Sequence, residues 1–237
     1  MPAPPVFPPD APRLGILMLE TRFPRPPGDV GHPASWPVPV LQRVVPRLAP
    51  RVVVQTAAGL RGAGMLPAME EAVRELQAAG CSAITTSCGF LVLLQRELQE
   101  AVTIPVVTSS LLQLPALLQE EQRVGVLTIS AGSLGEEHLL AAGVPPDRVG
   151  DVVVEGVAPD SEFVRAILGN EGHMDLEQAG AAVAAAAQAL ARRAPELRTL
   201  VLECTNMPPY AQRIREATGF QLRSLFDDVI PALSRDP

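Results

Sequence analysis

The sequence predicts an α/β protein of two similar lobes, each a mainly parallel sheet flanked by helices, related by a pseudo-two-fold with a cleft between them. Three observations carry this. Short apolar runs alternate with helical stretches along the chain. The pattern restarts midway: "RVGVLTIS" (123–130) repeats "RLGILMLE" (13–20) in type at nearly every position. In each half a later strand ends on a cysteine, Cys88 in "CSAITTSC" and Cys204 in "LRTLVLEC".

Taken in order, residues 1–12 carry proline at 2, 4, 5, 8, 9 and 12 and read as a flexible tail. "RLGILMLE" is a buried strand. The proline-rich segment that follows, over residues 22–40, reads as a long irregular loop of the kind that walls or covers a site. "RVVVQT" (51–56), β-branched, reads as a second strand ending on Thr56, and "GLRGAG" (59–64) as a flexible loop beside it. Met69, Val73 and Leu76 fall at helical spacing, with Gly80 as the stop. A third strand (81–88), a helix from Phe90, a fourth strand (104–109) and a helix with Pro115 in its first turn complete the half. In the second half, strand 123–130 is followed by strand "DVVVEG" (151–156), matched to "RVVVQT". Two helices come next, then strand 197–204, a last strand (221–227) and a closing helix.

The 237-residue chain is 47% hydrophobic, enough for a sizeable core. Its net charge is −7 and aromatics make up 3%. With no basic run, nucleic acid is not an expected partner. No apolar run is long enough to span a membrane, and the N-terminus lacks a signal-peptide core, so no membrane partner is expected. An odd cysteine count, three, argues against a disulfide framework and for a cytoplasmic location. Spacings for a metal site and the dinucleotide fingerprint are both missing, so no metal or other cofactor is expected. His32, His138 and His173 stand among polar or loop residues and read as surface groups. Whether the chain forms a homo-oligomer is left open.

In parallel sheets ligands bind beyond the carboxyl ends of the strands. Cys88 and Cys204 stand there, in equivalent places. Cys81, at the opposite end of its strand, reads as a small core residue. Two thiols facing each other across a cleft can take a proton from one face of a carbon and return one to the other. Helix starts after each cysteine favour the thiolate and offer N–H groups to a carboxylate. Thr56, Thr86, Ser87, Gly89, Thr205 and Asn206 are the candidate substrate-binding residues. Glu20, Thr21, Arg22 and Ser130, at other strand ends, are candidate cleft walls. The expected partner is a small anionic or carbonyl substrate.

"SCG" after one strand and "ECTNMPPY" after another resemble the paired cysteine motifs of the aspartate/glutamate racemase superfamily. The likeness extends over roughly residues 13–230 and includes "GILMLETRFPRPPGD". That group is cofactor-independent and includes glutamate, aspartate and hydantoin racemases, maleate isomerase and arylmalonate decarboxylase. The resemblance implies two α/β domains, 13–110 plus about 216–237 and 111–215, with the chain returning to the first at its end. It also implies Cys88 and Cys204 as paired acid/base residues. Glutamate racemases place Asn-Thr after the first cysteine and Thr-His after the second; here Gly89-Phe90 and Thr205-Asn206 stand there, which points away from glutamate. The leading expectation is racemisation or epimerisation α to a carboxylate or related carbonyl. A single-cysteine isomerase or decarboxylase and a non-enzymatic small-molecule sensor are the alternatives.

Overall fold

The computed structural model describes residues 7–8 and 11–234; most of the expected N-terminal tail lies outside them. The first lobe holds a four-stranded parallel sheet in the order β2-β1-β3-β4, with β1 Leu14–Leu19, β2 Val40–Val45, β3 Ala83–Thr86 and β4 Val106–Val107. The second repeats it as β6-β5-β7-β8, with β5 Val124–Thr128, β6 Val152–Gly156, β7 Thr199–Leu202 and β8 Gln221–Arg223. All six strand pairings are parallel. The pseudo-two-fold plan is therefore present strand for strand.

The helices are α1 Pro50–Val53, α2 Ala57–Gly62, α3 Leu66–Ala78, α4 Gln95–Glu100 and α5 Leu114–Glu120 in the first half of the chain. In the second they are α6 Glu136–Ala141, α7 Glu162–Leu168, α8 Leu176–Arg193, α9 Ala211–Thr218 and α10 Phe226–Ala232. Every residue of β1 is buried, because helices cover both faces of its sheet. Its alternate residues divide between two cores. Leu17 and Leu19 face the large core that runs through both lobes. Leu14, Ile16 and Met18 face a smaller one closed by Val229, Ala232 and Leu233 of the C-terminal segment.

Four expectations are corrected. Residues 51–56 are not a strand: Pro50 opens α1, and the Val54 N–H bonds to Pro50 O at 2.8 Å, so this β-branched run winds instead of extending. The second strand is instead Val40–Val45, which begins where the stretch read as a proline-rich loop ends, and it is β2 that corresponds to β6. Residues 59–64 mostly belong to α2, capped by Thr56. The strand Gln221–Arg223 pairs with β7 in the second sheet, so the chain returns to the first lobe only from Leu225, not from about 216. Pro115 does stand in the first turn of α5.

Candidate active site

The two cysteines are carried by matching turns. Beyond β3, the Ser87 N–H bonds to Leu17 O at 3.0 Å; beyond β7, the Glu203 N–H bonds to Leu127 O at 2.9 Å. Ser87 and Glu203 thus occupy equivalent places, each directly before a cysteine. Cys88 has extended backbone and caps a 3-10 turn over Gly89–Leu94. After Cys204 the chain runs through Thr205 and Asn206 into a 3-10 turn over Pro208–Tyr210.

The two turns are pinned to each other. The Thr205 hydroxyl donates to Ser87 O across the lobes at 2.7 Å, and the Ser87 hydroxyl accepts from the Leu19 N–H at 2.9 Å. Gly89 lies against the second turn so closely that a Cβ there would overlap both the backbone oxygen and the Oε1 of Glu203. Only glycine lets the turns approach to this extent.

A narrow pocket opens between them. Its polar lining is Ser87, Cys88, Gly89, Glu203, Cys204, Thr205 and Asn206, and its apolar walls include Phe23, Phe90, Ile129 and Ile167. Both thiols are free and buried. Among the described residues no cluster of three or more His, Cys, Asp or Glu side chains is arranged to hold a metal. No helix there is long and apolar enough to cross a membrane.

The surroundings of the thiols differ. The Arg25 guanidinium donates to Asp29 Oδ1 at 2.8 Å, and Asn206 Nδ2 donates to Asp29 Oδ2 at 2.6 Å. A carboxylate only accepts, so Asp29 forces the amide nitrogen of Asn206 to face it. The amide oxygen then faces Cys204, whose Sγ donates to it at 3.6 Å. This chain holds Cys204 as a protonated thiol. Cys88 has no such acceptor, and the field of Arg25 favours its thiolate; a backbone N–H, from Phe90 at Cys88 and from Asn206 at Cys204, favours the thiolate of each.

Burial nevertheless dominates. It pushes the Cys88 thiol up to about 12, helped by the nearby Glu203 and opposed by Phe90 N–H and Arg25. Burial and Glu203 raise Cys204 well above the ordinary thiol range, opposed by the Asn206 N–H and helped further by Cys88 and Asp29. Burial also lifts Glu203 to about 8, against the hydrogen bond that Thr128 donates to it. The expected lowering of thiol pKa by helix starts is thus overturned, because both turns are short and both sulfurs are enclosed.

Of the candidate residues, Cys88, Cys204, Ser87, Gly89, Thr205 and Asn206 line this one pocket. Thr86 lies behind it, its buried hydroxyl within 2.8 Å of Thr108 O and 3.0 Å of Cys88 O, where it shapes the turn. Thr56 is exposed, and its hydroxyl accepts from the Gly59 N–H as the cap of α2. Glu20 and Arg22 meet Asn170 on the outer surface, where Asn170 Nδ2 donates to Glu20 O and the Arg22 N–H donates to Asn170 Oδ1. Thr21 lines a separate outer cavity with Arg25 and Gln42, and Ser130 lines a groove beside α8. None of these four cleft-wall candidates lines the thiol pocket. Cys81 is buried elsewhere, against Gly15. His138 is also buried rather than on the surface, its ring edge-on to Phe90 at 5.0 Å.

Sequence reasoning missed Asp29, Arg25, Glu203 and Phe23. Glu203 had one available signal, its place directly before a strand-end cysteine. Arg25 and Asp29 lay in the segment read as a site-walling loop and in the quoted "GILMLETRFPRPPGD", but nothing local singled out either residue.

Two free thiols at matched strand ends thus share one pocket between two α/β lobes. The chain belongs to the Asp/Glu/hydantoin racemase family, whose sequence profile matches residues 46–227. Among curated proteins it is 30% identical over 226 residues to dimethylsulfoniopropionate lyase from Durusdinium sp. clade D, covering 92% of this chain and 72% of that protein. It is 32% identical over 216 residues to dimethylsulfoniopropionate lyase 5 from Emiliania huxleyi (strain CCMP1516), covering 87% of this chain and 42% of that protein. The chain thus spans less than half the length of that second relative. Among solved structures, the fold matches unliganded arylmalonate decarboxylase at a TM-score of 0.53 and 13% identity, over 96% of this chain and 95% of that one. It matches allantoin racemase from Pseudomonas fluorescens at 0.56 and 18% identity, over 94% and 89%.

Proposed function

We propose that the protein is a cofactor-independent lyase, which removes a proton α to the carboxylate of a small substrate and expels a group from the β carbon. Dimethylsulfoniopropionate is the first candidate substrate. The observation that carries this reading is the pair of buried free thiols on one pocket in unlike surroundings. Racemisation uses both thiols as bases in turn. Here Cys204 is held protonated by the Arg25–Asp29–Asn206 chain, which leaves Cys88 as the base. The similarity to lyases along most of the chain supports the same choice.

The substrate carboxylate lies against the backbone N–H groups and hydroxyls of the two turns. The Cys88 thiolate takes the α proton. The C–H electron pair forms the new C=C bond, and the C–S pair leaves with sulfur as neutral dimethyl sulfide. Acrylate remains, and Cys88 returns its proton to water. Cys204, kept neutral, adds no negative charge against the enolate that develops. A cationic substrate also answers the high thiol pKa: its positive charge beside Cys88 opposes the burial and Glu203 effects that suppress the thiolate.

A second reading, racemisation or epimerisation, is favoured by the equivalent positions of the cysteines after β3 and β7. The two share their first step and part at the fate of the carbanion. Incubation with dimethylsulfoniopropionate, with headspace measurement of dimethyl sulfide and chromatography of acrylate, tests the first. Exchange of α protons into amino acids or hydantoins from deuterated water, without elimination from the sulfonium acid, favours the second.

A further inference from the structure

We propose that Glu203 is the counter-ion for an onium group, a permanently charged sulfonium or ammonium centre, so that the pocket selects small zwitterionic carboxylates over uncharged acids of the same shape. This rests on the proposal that the thiol pocket takes a small carboxylate.

Glu203 is 1% exposed and lines the pocket beside both sulfurs. Its Oε2 accepts from the Thr128 hydroxyl at 2.8 Å, but its Oε1 is buried with no hydrogen-bond partner. A buried carboxyl oxygen left unpaired is costly, and fold stability alone does not select for one. The pseudo-two-fold sharpens the point. Ser87 fills the equivalent place in the first lobe, and its hydroxyl is satisfied by the Leu19 N–H. The turn therefore works without a carboxylate, and the one at Glu203 needs another explanation.

The surroundings of Glu203 fit a cation that carries no N–H. Phe23, Phe90, Ile129 and Ile167 supply apolar walls. A methylated sulfonium or ammonium gains from a charge and from apolar contact, and needs no acceptors arranged around it. Among the lining residues, Glu203 is the one with a carboxyl group. Asp29 is nearby, but Arg25, the Gly31 N–H and Asn206 already satisfy it. The titratable groups facing Glu203 are Cys88 and Cys204, with Arg25, Asp29 and Tyr210 behind them. Arg25 is tied to Asp29 and offers Glu203 no direct partner.

A rival role has the opposite pH signature. A protonated Glu203 donating to the substrate carboxylate loses that bond as it ionises. A counter-ion gains strength by ionising, so the preference for a cation grows as pH rises through about 8.

The test is calorimetric binding to the Cys88→Ser protein, which cannot turn substrate over, with and without Glu203→Gln. The probes are dimethylsulfoniopropionate and isocaproate, which has the same shape with carbon in place of sulfur. We expect the sulfonium acid to bind at least about tenfold tighter than isocaproate. The preference widens from pH 7 to 9 and collapses with Glu203→Gln. Equal binding, binding of neither, or a preference that survives Glu203→Gln overturns the proposal. So does a preference that falls with rising pH in the Glu203 protein, a measurement that stands even if the Gln variant misfolds. A preference that collapses with Glu203→Gln, without dimethyl sulfide release by the wild type, sinks the lyase reading alone.

Discussion

Replacing Gly89 by alanine tests whether the two cysteine turns are packed as described. The added methyl would overlap two atoms of Glu203, the backbone oxygen and Oε1. The Oε1 overlap can be relieved by rotating a side chain. The backbone overlap cannot, because the Glu203 N–H is bonded to Leu127 O and Thr205 is bonded to Ser87. The turns must separate, at a cost of about 1–3 kcal/mol, the usual range for overpacking a filled site. The separation moves Cys88 away from Cys204, so activity should fall by far more than stability alone explains. Gly62→Ala is the control: a Cβ there meets nothing within 4 Å, and it should be neutral or stabilise by up to about 1 kcal/mol. Adding Glu203→Ala to Gly89→Ala should recover only part of the loss, since the backbone half remains. Urea denaturation and initial rates on the four proteins provide the readout. Wild-type stability and activity in Gly89→Ala would refute the contact between the turns, and full recovery in the double variant would refute the backbone share.

Asp29→Asn keeps the shape but removes the charge that pairs with Arg25 and orients Asn206. It should destabilise the protein by about 3–5 kcal/mol, the range for breaking a buried pair, and should lower activity by freeing the Asn206 amide to turn. Glu203 links stability to pH. Its folded pKa near 8 is raised from 4.5, so its contribution is full below about pH 4.5 and is lost as pH rises through 8. The stability difference between Glu203→Gln and wild type should therefore grow in favour of Gln across that window, by about 5 kcal/mol at most, when followed by denaturant melts at several pH values. Cys81→Ser, remote from the pocket, should keep activity within about twofold while losing some stability.

The parts of the fold that were legible are those buried on both faces. β1, β5 and β7 read as short apolar runs because helices cover each sheet on both sides, and their repetition exposed the two-lobe plan. β2 escaped because it is an edge strand with exposed Gln42, Arg43 and Val44, set among prolines. The neighbouring Val52-Val53-Val54 took its place in the reading, since β-branching outweighs one proline in a local argument. Cys88 and Cys204 were legible from position alone, because parallel sheets gather ligands at carboxyl strand ends. Thr56 failed with the strand it was thought to end. Asp29 and Arg25 act on Cys204 through Asn206, across a separation that no local pattern records. His138 looked like a surface group between Glu137 and Leu139, yet it packs against Phe90 from the other lobe.

The central claim is that the two thiols share a pocket but not a role. Its most direct test is the release of dimethyl sulfide and acrylate by wild type, Cys88→Ser and Cys204→Ser, with α-proton exchange followed in deuterated water. Serine is too weak an acid to replace a thiolate base near neutral pH. Cys88→Ser should lose both elimination and exchange, by at least about 10²–10⁴-fold. Cys204→Ser should be slowed yet retain measurable proton removal. Equal, mirror-image residual exchange in the two variants, each from one face or enantiomer only, would contradict the account and establish two interchangeable bases.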